Sequence, residues 1–133
     1  MLKKIHIEQF VLITTLDLDF MSGLTSLTGE TGAGKSIILD ALGLILGDPT
    51  DTGSIRYGCD QSVIEAVFAT PQHNGVWAYL TSRELVEKGQ TEFAIRRVTR
   101  SDGTEDMLVN SRPVSLETLK EIGAFLCEIH GQN

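Results

Sequence analysis

The chain has 133 residues, of which 41% are hydrophobic and 22% are charged, and its formal net charge is −7 at pH 7. This length and composition predict one soluble globular domain, and the acidic balance excludes a surface that is basic overall, so any contact with DNA has to use a local patch. No apolar run approaches the roughly 20 residues that span a bilayer, and the alternating residues 1–8 lack the apolar core of a secretory signal. We therefore expect a cytoplasmic protein without membrane contact.

Two N-terminal segments, residues 2–8 and 15–20, alternate with the period of a β-strand and predict an antiparallel pair. The apolar residues of the second segment would face a core, while Asp17 and Asp19 would point to the other side. Two nearby carboxylates suggest a metal site. The strand period favours a simpler interpretation, in which both lie on a solvated face.

The next segment carries a phosphate-binding motif. A short strand is predicted at residues 24–28, and an apolar helix is predicted at residues 37–46, ending at Gly47. Between them, the pattern G-x-x-x-x-G-K-[ST] is matched by Gly29, Glu30, Thr31, Gly32, Ala33, Gly34, Lys35 and Ser36. Glycines let backbone N–H groups converge on phosphate oxygens, and the helix N-terminus presents unpaired donors and its positive dipole end to the same anion.

This context disfavours an ordinary Gly-rich turn and predicts nucleotide binding with Mg²⁺. The loop from Gly29 onward would hold the phosphates, and Ile37 at the start of the helix completes the predicted binding set. The Lys35 ammonium would reach the β- and γ-phosphates, and the Ser36 hydroxyl would ligate Mg²⁺.

The rest of the chain predicts a mixture of strands and helices. Residues 48–60 are rich in Asp, Gly and Thr and predict a loop, and Asp102-Gly103 is typical of a hairpin turn. Cys59 and Cys127 have no metal-ligand spacing and are expected to be reduced thiols. The remaining predicted elements are strands at residues 63–69, 92–100, 105–110 and 127–130, a short helix or helical turns at 76–88, and a helix capped by Ser115.

Three separated segments carry a family resemblance. They are residues 20–47 with the phosphate-binding motif, residues 55–58 (Ile-Arg-Tyr-Gly), and residues 128–132 (Glu-Ile-His-Gly-Gln). Together they resemble the RecN family of bacterial DNA-repair ATPases, which are of the SMC type within the ABC superfamily; the last two resemble its arginine-bearing loop and its Q-loop. The chain departs from the family pattern at residues 48–52 and at Asn110-Ser111, where Asn-Gly is usual.

The resemblance implies an α/β P-loop NTPase fold, with residues 1–133 forming the N-terminal lobe of an ABC/SMC-type head from Walker A to Q-loop. A mixed sheet with an antiparallel β meander and a P-loop helix is expected. The resemblance implies ATP as the nucleotide, and it implies catalytic roles for Lys35 and for Gln132, which would also ligate Mg²⁺ and help to orient the attacking water. His130 is expected to pack the loop rather than to act as a base.

The family's Walker B and signature segments have no counterpart in this chain, so the resemblance implies that hydrolysis requires a C-terminal lobe of the same protein. It also implies a head-to-head homodimer formed with ATP, contact with DNA, and association with the nucleoid. The apolar circumference of the helix at residues 37–46 predicts that part of its cover comes from that missing lobe.

Four arginines are candidates for contacts with phosphates. Arg56 is either a nucleotide or DNA contact or a surface arginine, and the sequence leaves both open. Arg96, Arg97 and Arg100 form the densest basic cluster, for which a solvated strand face is favoured over a contact with the DNA backbone.

The sequence thus favours the ATP-binding half of a DNA-repair and recombination ATPase head, with no hydrolysis expected from this chain alone. One alternative is a small P-loop kinase or another self-contained NTPase. Such kinases usually start close to the P-loop strand, so the antiparallel segments at residues 2–20 disfavour it. A second alternative is a nucleotide-gated interaction module without turnover of its own.

Overall fold

A computed structural model of the chain describes residues 2–20 and 32–130, with side chains described for residues 2–20 and 36–126. In chain order the strands and helices are β1 (Leu2–Phe10), β2 (Ile13–Asp19), α1 (Gly32–Ile45), a 3-10 turn (Thr52–Ser54), β3 (Gln61–Ala69), α2 (Gly75–Ser82), β4 (Glu92–Arg100), β5 (Glu105–Val109), β6 (Arg112–Pro113) and α3 (Leu116–His130). Within these ranges, no helix is long and apolar enough to cross a membrane.

The strands form one six-stranded sheet in the order β2-β1-β3-β4-β5-β6, and every pairing between described strands is antiparallel. The predicted N-terminal pair is confirmed, with His6 opposite Asp17. Asp17 and Asp19 are both exposed, as the strand period predicted. The strand predicted at residues 24–28 lies outside the described residues.

The three α-helices share one face of this sheet. Side chains of alternate strand residues, such as Ile5, Ile64 and Ile95, form a single buried cluster with residues from all three helices. The helical members are Ala41, Leu44 and Ile45 from α1, Val76, Trp77 and Leu80 from α2, and Leu119, Ile122 and Leu126 from α3. The fold therefore has two layers, because each amphipathic element buries its apolar side in the same core.

Two hairpin turns connect β4, β5 and β6. The predicted β4–β5 turn is confirmed, and Thr104 donates both its N–H and its hydroxyl to the Asp102 carboxylate at 2.9 and 2.7 Å. The β5–β6 turn consists of Asn110 and Ser111, with φ angles of 49° and 69°. Positive φ at both central residues is the conformation of a type I′ hairpin turn, for which Asn-Gly is the preferred pair.

Two helix boundaries follow local sequence signals, whereas α2 ends at Ser82, before the predicted residue 88, and one predicted strand is helical. Gly47 adopts φ 110° just after α1, and the Ser115 hydroxyl accepts the Thr118 N–H at 3.2 Å at the start of α3, so both predicted boundaries are confirmed. The strand predicted at residues 127–130 is wrong, because α3 continues to His130. Four alternating residues fit a strand and a helix end equally well, and the buried side chains of Leu119, Ile122 and Leu126 favour continuation of the helix.

Candidate nucleotide-binding site

The phosphate-binding motif lies at the N-terminus of α1. Gly29, Glu30 and Thr31 lie outside the described residues, whereas Gly32 to Lys35 form the first turn of the helix, earlier than the predicted start at residue 37. The first four N–H groups of an α-helix have no partner within the helix. In α1 these donors belong to the second half of the motif, and the first turn contains no acidic residue that would repel an anion.

The two predicted site residues that follow have described side chains. Ser36 is exposed and Ile37 is half-buried. An accessible hydroxyl oxygen is a ligand type that suits Mg²⁺, which prefers hard oxygen donors. The Lys35 side chain and all of Gln132 lie outside the described part, so their predicted catalytic roles stay predictions. The same holds for the packing role of His130, whose side chain is likewise not described.

The C-terminal end of α1 is anchored by Arg97 of β4. The Arg97 side chain is 0% exposed, and its Nη1 donates to the carbonyl oxygens of Leu44 at 2.6 Å and Asp48 at 2.7 Å. Its Nε and Nη2 each donate to the Glu105 carboxylate at 3.1 Å. Glu105 also accepts the hydroxyls of Thr50 at 2.9 Å and Thr99 at 3.1 Å. A buried guanidinium thus bonds the end of the helix to the β4–β5 hairpin.

The electrostatics of this cluster favour the ionised pair. Burial raises the pKa of Glu105, but the hydrogen bonds from Arg97, Thr50 and Thr99 and the attraction of the guanidinium outweigh it, so the pKa lies below its ordinary value of 4.5. The cluster was missed at the sequence level. Strand alternation was the available signal, since Arg97 shares a face with the buried Ile95.

Helix α3 packs against the same end of α1. A Cβ atom on Gly123 would lie 2.9 Å from the Leu46 carbonyl oxygen, and one on Gly47 would lie 2.9 Å from backbone atoms of Lys120. Only glycine allows backbones to approach this closely. The end of α1 is therefore held between the sheet and α3, the helix that leads toward Gln132.

The predicted basic cluster is not a free patch. Arg96 pairs with Glu65 at 3.4 Å, and Arg100 pairs with Asp106. The prediction of a solvated face was wrong for Arg97, which points into the core because successive strand residues face opposite sides of a sheet. Each of the three guanidiniums thus has a carboxylate partner.

Arg56 lies on the loop that pairs with the end of β1. Its N–H donates to the Gln9 carbonyl at 2.8 Å, and Ile55 forms a β-bridge with Phe10. The Arg56 Nε is buried without a hydrogen-bond partner among the described residues, while the next residue, Tyr57, is 98% exposed. The loop is thus bonded to the end of β1, and a nucleotide or DNA contact of Arg56 stays a prediction.

His6 lies between two carboxylates on the sheet face away from the helices. Its Nδ1 is 2.6 Å from an Asp17 oxygen and its Nε2 is 2.6 Å from a Glu8 oxygen. The hydrogen bond to Glu8 raises the His6 pKa above 6.5; burial opposes the rise, and Asp17 adds to it. Across residues 2–20 and 36–126, no three His, Cys, Asp or Glu side chains are grouped in a way that could hold a metal ion.

Comparison with known proteins decides the family. The AAA domain family matches residues 4–131. The chain belongs to this family. DNA repair protein RecN of Haemophilus influenzae is 39% identical to this chain over 134 residues. DNA repair protein RecN of Halalkalibacterium halodurans is 40% identical over 135 residues, and both alignments cover 100% of this chain. The chain spans 24% and 23% of the length of these two relatives. The predicted resemblance to RecN is thereby confirmed.

Solved structures confirm the fold. A chain from work on ATP-driven dimerization and DNA-stimulated activation of SMC ATPases superposes with a TM-score of 0.69 at 19% identity, covering 93% of this AAA domain chain and 78% of that chain. The SMC head domain from Thermotoga maritima gives a TM-score of 0.59 at 22% identity, covering 90% and 41%. The fold is that of SMC-type P-loop ATPase heads.

Proposed function

We propose that residues 1–133 form the ATP-binding N-terminal lobe of a DNA-repair ATPase head, from the Walker A loop to the Q-loop. One observation carries the proposal: the first turn of α1 is formed by residues 32–35, so unpaired helix N–H groups coincide with the second half of the phosphate-binding motif. The sequence identity of 39% and 40% to two RecN proteins, over the whole chain, supports the assignment to DNA repair.

The residues present fit ATP with Mg²⁺. The backbone N–H groups of residues 29–37 would hold the phosphates, and the Lys35 ammonium would neutralise charge on the β- and γ-phosphates. Ser36 and Gln132 are the candidate ligands for Mg²⁺, which supplies charge neutralisation when bound. Gln132 also accepts and donates hydrogen bonds that orient a water molecule. Arg56 is a candidate contact to the nucleotide.

Hydrolysis requires groups that this chain does not supply. No acidic residue follows an apolar strand in the manner of a Walker B segment, so a C-terminal lobe of the same protein would provide the acid, and a second head bound to ATP would provide the signature loop. Within the described part of α1, Leu39 is 66% exposed, which is consistent with cover from that lobe. The site of action would be the cytoplasm, at the nucleoid.

Lys35→Ala tests the nucleotide site. Loss of a charge-assisted contact costs about 1.5 to 3 kcal/mol, or roughly ten- to a hundredfold in ATP affinity. Titration calorimetry with ATP and Mg²⁺ measures this on the folded protein. Lys88→Ala, which removes an exposed lysine beyond α2, is the matched control and should leave the affinity unchanged. Equal affinity in wild type and folded Lys35→Ala would refute the P-loop assignment.

A second experiment tests the split site. Phosphate release should be negligible for residues 1–133 and should appear in the full-length protein, where Lys35→Ala abolishes it. Release by the short chain at the full-length rate, with the same sensitivity to Lys35→Ala, would favour the self-contained NTPase alternative.

DNA contact is proposed as weak for this lobe, because Arg96, Arg97 and Arg100 are already paired with carboxylates. Any affinity should fall steeply as salt is added. Fluorescence anisotropy with duplex DNA measures it, and tight binding that is insensitive to salt would contradict an electrostatic contact.

A further inference from the structure

We propose that Arg97 is a positioning residue for the nucleotide site, which fixes α1 from its C-terminal end and so sets where the opposite end presents its N–H groups. The inference rests on the proposed binding of ATP at the N-terminus of α1. If it is correct, the affinity for ATP depends on a residue that does not contact the phosphates.

The bonds of Arg97 constrain the helix in direction as well as in distance. One nitrogen, Nη1, donates to two carbonyl oxygens, those of Leu44 in the last turn of α1 and Asp48 just beyond it. The other two nitrogens are held by the Glu105 carboxylate. Because a guanidinium is planar and holds its donors in a rigid fork, the two N–H groups of Nη1 can meet both carbonyl oxygens only in one orientation of the helix end.

The contact with α3 limits movement on the opposite side. Gly47 and Gly123 bring α1 and α3 into backbone contact, so the helix end has no room to shift toward α3. A helix of 14 residues is about 21 Å long at 1.5 Å per residue. A tilt of about 3° at the anchored end therefore moves the phosphate-binding turn by about 1 Å, a displacement large enough to impair a preorganised site.

An ion pair that only stabilises the fold would give a different result, and a variant of Glu105 distinguishes the two cases. Arg97→Lys keeps the positive charge but cannot donate to Leu44, Asp48 and Glu105 at once, because a lysine ammonium lacks the planar fork. Glu105→Gln weakens the pair and the fold, yet leaves Arg97 able to donate to both carbonyl oxygens of the α1 end. If only stability matters, the two variants act alike. If position matters, only Arg97→Lys changes ATP affinity.

The experiment compares ATP affinity by titration calorimetry in the full-length protein, at a temperature where circular dichroism shows each variant fully folded. Arg97→Lys should weaken ATP binding at least fivefold, while Glu105→Gln should stay within twofold of wild type. Arg96→Lys, on the same strand but facing away from the core, is the matched control and should match wild type. Equal effects of Arg97→Lys and Glu105→Gln, or no effect of Arg97→Lys, would overturn the inference.

Hydrogen exchange on the wild type gives a test that needs no variant. If the anchored end supports ATP binding, ATP must stabilise the anchored end in return, since coupling between two sites is reciprocal. ATP should slow exchange of the Leu46 and Asp48 amides, which bond to the Leu42 and Gly43 carbonyls. The Gly103 amide at the tip of the β4–β5 hairpin should not change. Unchanged exchange at Leu46 and Asp48 would overturn the inference even if Arg97→Lys does not fold.

The Lys35→Ala variant keeps the two proposals separable. If wild type binds no ATP, or binds it as Lys35→Ala does, the proposed function fails and the inference fails with it. If ATP binding depends on Lys35 but not on Arg97, the nucleotide site stands and the positioning role is refuted.

Discussion

Replacing Ser111 by glycine should stabilise the protein, although the Ser111 side chain is exposed. Ser111 is the second residue of the β5–β6 turn and has φ 69°. An L-residue in this left-handed conformation brings its Cβ close to a carbonyl oxygen, and glycine has no Cβ. The departure from Asn-Gly noted in the sequence is therefore a strained position in the structure.

The size of the effect follows from two opposing terms. Relief of the left-handed conformation contributes roughly 1–2 kcal/mol, and the additional freedom of glycine in the unfolded chain costs roughly 0.5–1 kcal/mol. Ser111 is exposed, so little packing is lost. We expect Ser111→Gly to raise the free energy of unfolding by about 0.5–1 kcal/mol, equivalent to a Tm increase of about 2–4 °C.

The neighbouring residue provides a control with the opposite sign. Asn110 also has positive φ, at 49°, but its side chain accepts the Ala94 N–H at 3.0 Å and donates to the Leu85 carbonyl at 2.8 Å. Asn110→Gly loses both bonds and should cost about 1–2 kcal/mol. Urea unfolding followed by circular dichroism measures both variants. A neutral or destabilising Ser111→Gly, or a stabilising Asn110→Gly, would refute the account of this turn.

Three further predictions concern pH and packing. The raised pKa of His6 means that its stabilising effect is fully present below pH 6.5 and is lost as pH rises through the folded-state pKa. The free energy of unfolding should therefore differ between wild type and His6→Gln by about 0.5 kcal/mol at low pH, as for a partly exposed cluster, and the difference should shrink from about pH 6 to about pH 9. A difference that grows over this range would contradict the prediction. The lowered pKa of Glu105 means that its contribution is present above pH 4.5 and is lost on acidification, so acid titration of unfolding should show a steeper loss in wild type than in Glu105→Gln. Gly123→Ala should destabilise the protein by about 1–3 kcal/mol despite better helix propensity, because the new methyl group meets the Leu46 carbonyl; Ala124→Gly at the adjacent exposed position should cost only about 1 kcal/mol in thermal unfolding.

Much of the fold could be predicted because local signals and tertiary structure agree. The Asp102-Gly103 turn, Gly47 at the end of α1 and the Ser115 cap each fix a boundary through interactions within a few residues. The strands at residues 92–100 and 105–109 follow from the same local pattern. Such signals do not depend on how the elements pack together.

The sequence could not predict which residues, distant in the chain, contact each other in the fold. The partners of Arg97 lie 53, 49 and 8 positions away in the chain, and no local pattern pairs them. The prediction for the end of α3 failed for a related reason. Residues 127–130 alternate like a strand, and only the packing of the preceding turns shows that the helix continues. The phosphate-binding motif can be recognised in the sequence because all of its residues are contiguous, and binding at it stays a prediction.

The order of the strands has a consequence for how the chain folds. β3, β4, β5 and β6 lie side by side in the sheet in their chain order, so their pairings close shorter loops. β1 pairs with β3 only after residues 11–60, including all of α1, have been looped out. Because closing a longer loop costs more chain entropy, we expect the C-terminal meander to form first and the β1–β2 hairpin to dock afterwards. The segment that carries the phosphate-binding motif would thus be enclosed when the last strand pairing of the sheet forms, so its geometry would depend on completion of the fold.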